Sequence, residues 1–290
     1  MIIATTRAEL GAARESMPGP VVLVPTMGAL HDGHRALLRR ARELAGDTGT
    51  VVVSIFVNPL QFGPNEDLDR YPRTLQEDLR VCAAEGAGLV FAPGAREMYP
   101  DRQLVTVDPG PAGEVLEGEF RPGFFRGVLT VVLKLFSLVR PDIAVFGQKD
   151  AQQLALVRQM VSDFALGIEI EVVPTVRAAD GLALSSRNKY LSSAERAVAP
   201  VLHAALAAGG AAAAGGSRAV LEAAQEVLDR AGGVVSLDYL ALVERGTYAP
   251  VLNNDFSGSA TLAIAARLGT TRLIDNVMVE VGTEHDAADD

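Results

Sequence analysis

Residues 21–34 read VVLVPTMGALHDGH, running from Val21 to His34, and the parsing of this stretch decides the fold of the chain. Val21, Val22, Leu23 and Val24 form an apolar run without alternation, as suits a strand buried on both faces of a parallel sheet. Beyond the run, Leu37, Leu38, Ala41 and Leu44 recur at helical spacing, Arg35, Arg39, Arg40, Arg42 and Glu43 take the other positions, and Gly46 ends the pattern. The spacing predicts a helix over 34–44 and makes PTMGALHDGH a strand-to-helix turn.

Such a turn carries chemistry. The first turn of a helix leaves backbone N–H groups without partners and bears a partial positive charge, and both favour an anion such as phosphate. Gly28 and Gly33 allow the backbone to approach a ligand closely. His31 and His34, three residues apart, can point at one group, and a protonated imidazole can donate to charge developing on a phosphoryl oxygen. The same pair could be two metal ligands, but the chain has one cysteine, Cys82, and its other histidines, His203 and His285, are far away in sequence. The phosphate reading is preferred.

A chain of 290 residues more naturally makes two domains than one. A net charge of -10 argues against a nucleic-acid partner, because phosphate backbones are bound by surplus Lys and Arg. The apolar segment 128–139 contains Lys134 and is too short to span a bilayer, and the opening MIIATTRAEL lacks the basic-then-apolar pattern of a secretory signal. A soluble cytoplasmic protein with neither nucleic acid nor membrane as partner is expected. Cys82, at helical spacing from Leu75 and Leu79, reads as a packed thiol.

Strand patterns at 21–24, 51–57, 89–92, 143–146 and 168–173 alternate with helix patterns at 34–44, 74–85, 128–139 and 151–165, the signature of an α/β domain with a parallel sheet. Polar clusters follow the strands: PTMGALHDGH, then NPLQFG at 58–63, GQKD at 147–150 and PTVR at 174–177. In an open parallel sheet these would line one crevice at the carboxyl edge. The Gly- and Pro-rich stretches 63–72 and 93–127 read as loops, the second long enough to be a binding loop or lid. After a turn at 178–181, the segment 182–191 combines Ser185 and Ser186 with Arg187 and Lys189, which suits charge-assisted bonding to phosphate oxygens. Further on, an Ala-rich helix from 193 breaks near Gly209, a helix covers 218–230, and 261–268 with 272–281 make a hairpin. These predict a small α+β domain. The division read from sequence is 1–177, 178–282 and a disordered acidic tail at 283–290.

PTMGALHDGH, VSIFVNPLQFG, YPRT at 71–74, FRPGFFRGV, LVRPD, GQKD followed by AQQL, and LALSSRN together resemble the pantoate–β-alanine ligase family of the His-x-Gly-His nucleotidyltransferase superfamily, in its order and near its spacing. The resemblance implies a Rossmann-like ATP domain, a smaller C-terminal domain that closes over it, and a homodimer. It implies two steps, in which pantoate attacks the α-phosphorus of ATP, accompanied by Mg2+, and β-alanine then displaces AMP. By the same likeness Met27, Gly28, Ala29, Leu30, His31, Asp32, Gly33 and His34 line the ATP site, with His34 the proton donor and His31 a phosphate contact. Gly147, Gln148, Lys149 and Asp150 meet the nucleotide, Lys149 on phosphate and Asp150 on ribose. Val176 contacts adenine, and Leu184, Ser185, Ser186 and Arg187 are the phosphate clamp. Gln61 meets pantoate and β-alanine, and Gln153 holds pantoate. Glu77 and Asp78 fall where the family carries acidic residues near the metal, or equally on a solvated helix face.

Two departures stand out. Phe124 replaces the histidine of the family's Arg-Pro-Gly-His-Phe, and Leu184 replaces a methionine before the serines. The second conserves volume, whereas the first removes a polar contact in the expected loop. Rival readings are a relative that moves AMP onto a phosphate monoester, an aminoacyl-tRNA synthetase, and a nucleotide-binding regulator with a decayed site. Gln61 and Gln153 in place of clustered cations favour a carboxylate acceptor.

Overall fold

The computed structural model describes residues 1–64, Glu66 and residues 68–282, so the expected tail at 283–290 lies outside the described residues. The chain divides into two compact units, one of residues 1–148 with 152–175 and the other of residues 149–151 with those from 176 onward.

The first unit runs β1 (Ile2–Ala4), α1 (Arg7–Glu15), β2 (Val21–Thr26), α2 (Asp32–Ala45), β3 (Thr50–Ile55), α3 (Leu75–Ala84), β4 (Leu89–Phe91), α4 (Ala95–Met98), α5 (Glu117–Phe120), α6 (Phe124–Val139), β5 (Ile143–Gly147), α7 (Ala151–Asp163) and β6 (Glu169–Val173). Its six strands lie in the order β1-β4-β3-β2-β5-β6, every pair parallel. The unbroken apolar run of β2 is explained by what covers it. Val21 and Leu23 belong to a core with Leu10, Phe91, Phe125, Leu129 and Phe136, whereas Val22 and Val24 belong to another with Leu38, Ala41, Val51, Val53 and Cys82. Helices therefore cover both faces of the sheet, as a parallel sheet requires. Pro25 is tolerated inside this central strand because β5 pairs only with Val22 and Leu23, so no ladder bond is asked of the missing N–H.

Successive strands step one way from β2 to β3 and β4 and the other way to β5 and β6, so the order reverses between β2 and β5. Ligand crevices of open α/β sheets lie outside the carboxyl ends at such a reversal. The segment following β2 is PTMGALHDGH.

The structure refines three sequence expectations. Helix α2 begins at Asp32, two residues before the predicted start, because His31 caps it. The stretch 93–127 is not structureless: it holds α4, α5 and the start of α6, which is entered at Gly123 with φ of +84°. Phe124 thus sits in a helical first turn and not in a loop.

The second unit contains a 3-10 helix at Ser186–Tyr190, α8 (Ser193–Val198), α9 (Val201–Ala211), α10 (Ser217–Arg230), β7 (Val235–Glu244), β8 (Gly258–Leu268) and β9 (Thr271–Val281). The strands form an antiparallel sheet β7-β8-β9 over a core with Leu202, Leu206, Val220, Leu262 and Ile264. The Ala-rich segment breaks first at Pro200, which the sequence pattern does not mark, and its second helix ends at Ala211, two residues past Gly209 and near the expected break. A Cβ at Gly209 would lie 2.9 Å from the carbonyl oxygen of Val220 and closer still to Leu262, so this glycine permits close packing and does not stop the helix. Among the described residues no helix is long and apolar enough to cross a membrane.

Candidate active site

The turn after β2 is held by its own side chains. His31 is the N-cap of α2, and its Nδ1 accepts from the N–H of Gly33 at 3.1 Å. His34, at the third helical position, reciprocates by accepting the N–H of His31 on its Nδ1 at 3.2 Å. This is a capping box with two imidazoles where Ser and Glu are usual. The ring centroids stand 4.1 Å apart, tilted by 48°. The spacing His-x-x-His is therefore a structural device as well as a chemical one.

A buried carboxylate braces the same turn from α3. Asp78, 1% exposed, accepts the N–H of Ala29 at 3.1 Å and of Leu30 at 2.8 Å, and the hydroxyl of Thr74 at 3.2 Å. These bonds sustain Ala29 at φ of +51°, a left-handed conformation unfavourable for a residue with a Cβ. Gly28, at φ of +83°, has no room for a side chain, since a Cβ would stand 2.9 Å from Asp78 Oδ2. Of the two acidic residues singled out in sequence, Asp78 is committed to the turn, whereas Glu77 is exposed on the helix. Cys82 lies one turn on from Asp78; burial, together with that carboxylate, pushes its thiol up to about 11, so it is no nucleophile.

Gln61 is 8% exposed and its amide orientation is fixed. Asn58 Nδ2 donates to Gln61 Oε1 at 3.1 Å and to the carbonyl of Gly127 at 3.1 Å, which turns Gln61 Nε2 toward Met27 Sδ, 3.1 Å away. Tyr99 donates its hydroxyl to Asn58 Oδ1 at 2.9 Å, and burial raises the phenol's pKa, keeping it a donor. Gly127 of α6 packs against the Leu60 carbonyl, where any Cβ would collide. Arg121 spans Glu66, at 2.5 Å, and the carbonyl of Gln61, at 3.2 Å, while its guanidinium lies 3.6 Å from the ring centroid of Phe124. The ring at the position of the family's histidine thus carries a cation that holds the Gln61 segment. Gln153 is partly buried on α7, and its neighbour Gln152 is given over to the carbonyls of Ala112 and Val115 and the N–H of Glu117.

In the second unit the stretch 176–184 folds back on itself: Leu184 donates to the Val176 carbonyl at 2.9 Å, and Gly181 closes the turn at φ of +93°. Ser185 caps the 3-10 helix by accepting the N–H of Arg187 at 3.2 Å, which places Ser186 and Arg187 on its first turn. Lys149, Ser185, Asn188 and Asp275 line one small cavity. The carbonyl of Lys149 accepts from Asn276 Nδ2 on β9 at 2.8 Å, and the neighbouring Asp275, 5% exposed, takes Arg177 in a two-point ion pair at 2.5 and 3.0 Å. Lys149 thereby packs with the residues of the second unit, while Gln148 belongs to the first.

Of the residues expected from sequence, Met27 at the start of the turn meets Gln61 in the first unit, and Lys149 shares one cavity with Ser185 in the second. Sequence reasoning missed the bracing residues Tyr99, Asp275 and Asn276. Their signal is faint, a polar pair inside the apolar run Leu273 to Val279 for the last two, and none at all for Tyr99.

The family described as Pantoate-beta-alanine ligase matches residues 2–278. The chain is 60% identical to pantothenate synthetase of Thermobifida fusca over 285 residues, 95% of each chain, and 55% identical to that of Mycolicibacterium smegmatis, covering 97% of this chain and 86% of that one. Among solved structures it is similar to pantothenate synthetase from Thermus thermophilus, with TM-score 0.88, 48% identity and coverage of 96% and 99%. It is also similar to pantoate-beta-alanine ligase from Francisella tularensis complexed with beta-gamma ATP and beta-alanine, with TM-score 0.78, 35% identity and coverage of 96% and 97%.

Proposed function

The chain belongs to the pantoate–β-alanine ligase family, and from that premise we propose a course for its reaction residue by residue. The ligase condenses pantoate with β-alanine at the expense of ATP. A carboxylate resists attack by an amine because hydroxide or oxide would have to leave. In the first step a pantoate carboxylate oxygen forms a bond to the α-phosphorus, the bond from that phosphorus to the bridging oxygen breaks, and pyrophosphate departs. In the second, the neutral amine of β-alanine attacks the acyl carbon, the C–O bond to AMP breaks, and the amine nitrogen loses one proton as the amide forms.

Both steps need charge neutralised on phosphoryl oxygens and the reactants held close. His31 and His34 donate to phosphate oxygens, and residues 27–33 shape the nucleotide cleft at the strand reversal. Gly147 and Gln148 continue that cleft. Lys149 and Arg187 supply cations and Ser185 and Ser186 hydroxyls to the phosphates, Leu184 belongs with Ser185, Ser186 and Arg187 to the phosphate clamp, Asp150 accepts from ribose, and the Val176 backbone contacts adenine. Gln61 and Gln153 hold pantoate, with Gln61 also reaching β-alanine; an amide serves a hydroxy acid because it donates and accepts. On this reading residues 1–177 form the ATP and pantoate domain and 178–282 the clamp domain, with 149–151 and 176–177 of the first packing in the second compact unit.

Mg2+ enters on the nucleotide. Among the described residues no three His, Cys, Asp or Glu side chains converge as a ligand set, and a hard cation that keeps its waters is well served by phosphate oxygens. The working form is a homodimer in the cytoplasm; Leu104 and Val105, each about four-fifths exposed, support a protein contact in the first unit.

The observation that carries this reading is the turn capped by His31 and His34 at the carboxyl end of the central strand, where Met27 Sδ meets the oriented amide of Gln61 at 3.1 Å. Its test is pyrophosphate release from MgATP with pantoate alone. A burst of about one per site, with AMP and turnover only after β-alanine is added, is expected. Absence of pyrophosphate with or without the amine, while ATP still binds, overturns the assignment.

A further inference from the structure

The bonds of the signature turn fix more than its shape. An imidazole nitrogen that accepts a hydrogen bond carries no proton, and the Nδ1 atoms of both His31 and His34 accept backbone N–H groups. A neutral ring so held has its hydrogen on Nε2. Turning either ring over would set a C–H against a backbone N–H and orphan a donor at the start of α2, so the bonding also settles the ring orientation.

Much of the turn's backbone is already engaged. The N–H of Gly28 goes to Thr26 Oγ1 at 3.2 Å, those of Ala29 and Leu30 to Asp78, that of His31 to His34 and that of Gly33 to His31. These amides, which a loop entering a helix ordinarily turns toward an anion, are committed inside the protein. What the turn presents to a phosphate is above all the outer edge of two imidazoles. Charged groups nearby are paired as well: Asp32 with Arg35 at 3.6 Å, Arg35 with Glu85 at 2.8 Å, and Asp78 with the amides above.

We propose that His31 and His34 meet the nucleotide's phosphoryl oxygens as neutral Nε2–H donors, their tautomer set by the backbone. This rests on assigning residues 27–34 to the nucleotide phosphates. The rings then stabilise developing negative charge by hydrogen bonding, without a proton changing hands, and the positive charge at the site comes from Lys149, Arg187 and Mg2+. The arrangement also explains why the pair is His-x-x-His: each ring needs one nitrogen for the backbone and one for the ligand.

The test is long-range 15N–1H correlation NMR on the full chain labelled with 15N-histidine, near pH 7.5, alone and with Mg2+ and a β,γ-methylene analogue of ATP. His203→Gln and His285→Gln identify the other two histidines. The remaining two rings carry the prediction jointly, so they need no individual assignment. Both should show the coupling pattern of the neutral Nε2–H form in the free and the nucleotide-bound protein. A protonated Nδ1 on either ring, as the other tautomer or as imidazolium, in either state overturns the proposal. The spectrum does not depend on turnover, so the tautomer and the ligase assignment, tested by pyrophosphate release, fail separately.

Discussion

The turn at residues 26–34 and the segment at residues 182–191 are both assigned to phosphate, and they are built in opposite ways. In the turn, backbone N–H groups are taken up by a hydroxyl, a buried carboxylate and two imidazoles. In the segment, bonds to the neighbouring 176–180 stretch hold Leu182 and Leu184, whereas the 3-10 helix is secured by the Ser185 cap and by the bond from Asn188 Nδ2 to the Ala183 carbonyl, with Asn188 Oδ1 buried without a partner. The first is a rigid frame in which each part supports the next. The second presents hydroxyls and a cation from a scaffold tied mainly by backbone bonds, so its functional side chains do not hold one another. Substitutions in the turn should therefore be strongly non-additive, whereas those in the segment should combine nearly as independent effects.

The largest effect expected is from His34→Ala, which removes a phosphate donor together with the acceptor for the His31 N–H. Turnover should fall about 10²- to 10³-fold while the thermal transition moves by only a few degrees. Adding His31→Ala should cost much less than it does alone; full additivity in kcat/KM would show that the box does not act as a unit. Asp78→Ala comes next. Removing the acceptor for two amides and the Thr74 hydroxyl should lower the unfolding free energy by about 2–4 kcal/mol in urea titration. Turnover should fall about 10- to 100-fold through misplacement of the turn, with half-saturating Mg2+ unchanged. A raised Mg2+ requirement would instead make Asp78 a metal ligand.

Arg187→Lys sharpens the other side of the comparison. The charge stays but the forked geometry is lost, so KM for ATP should rise roughly tenfold, with stability nearly unaltered. Phe124→His is the mildest. The ring supports Arg121 by a cation–π contact worth about 0.5–2 kcal/mol, so initial-rate kinetics should show about a two- to fivefold change in KM for pantoate. Complete loss of turnover would mean that Phe124 does more than carry Arg121.

Much of the fold is legible in the sequence because apolar periodicity reports burial directly. The run at Val21 to Val24 announces a strand covered on both faces, and the spacing from Leu37 to Leu44 announces the helix after it. Gly209 lies within two residues of the end of α9, but its packing role is hidden, because a glycine that ends a helix and one that admits a neighbouring carbonyl look alike without the neighbour. Among site residues, those whose chemistry is unusual for a surface turn, such as His31 and His34, stand out. Asp78 is ambiguous in sequence, since only tertiary packing decides whether a carboxylate at a helix start faces water or a turn. Asn276 is only faintly marked for the same reason: its partner is a carbonyl, and every residue has one.

That last bond joins residues 127 positions apart in the chain, with Asn276 on β9. At a synthesis rate of about 5–20 residues per second, the partner for Lys149 leaves the ribosome some 6–25 s after the lysine itself. The parallel sheet can pair and close its cores in that interval, since all of its strands precede residue 175. A nascent chain, or one truncated before β9, would thus hold a finished sheet with the lysine's peptide still unanchored. Competence for chemistry is completed late, when β9 has been made.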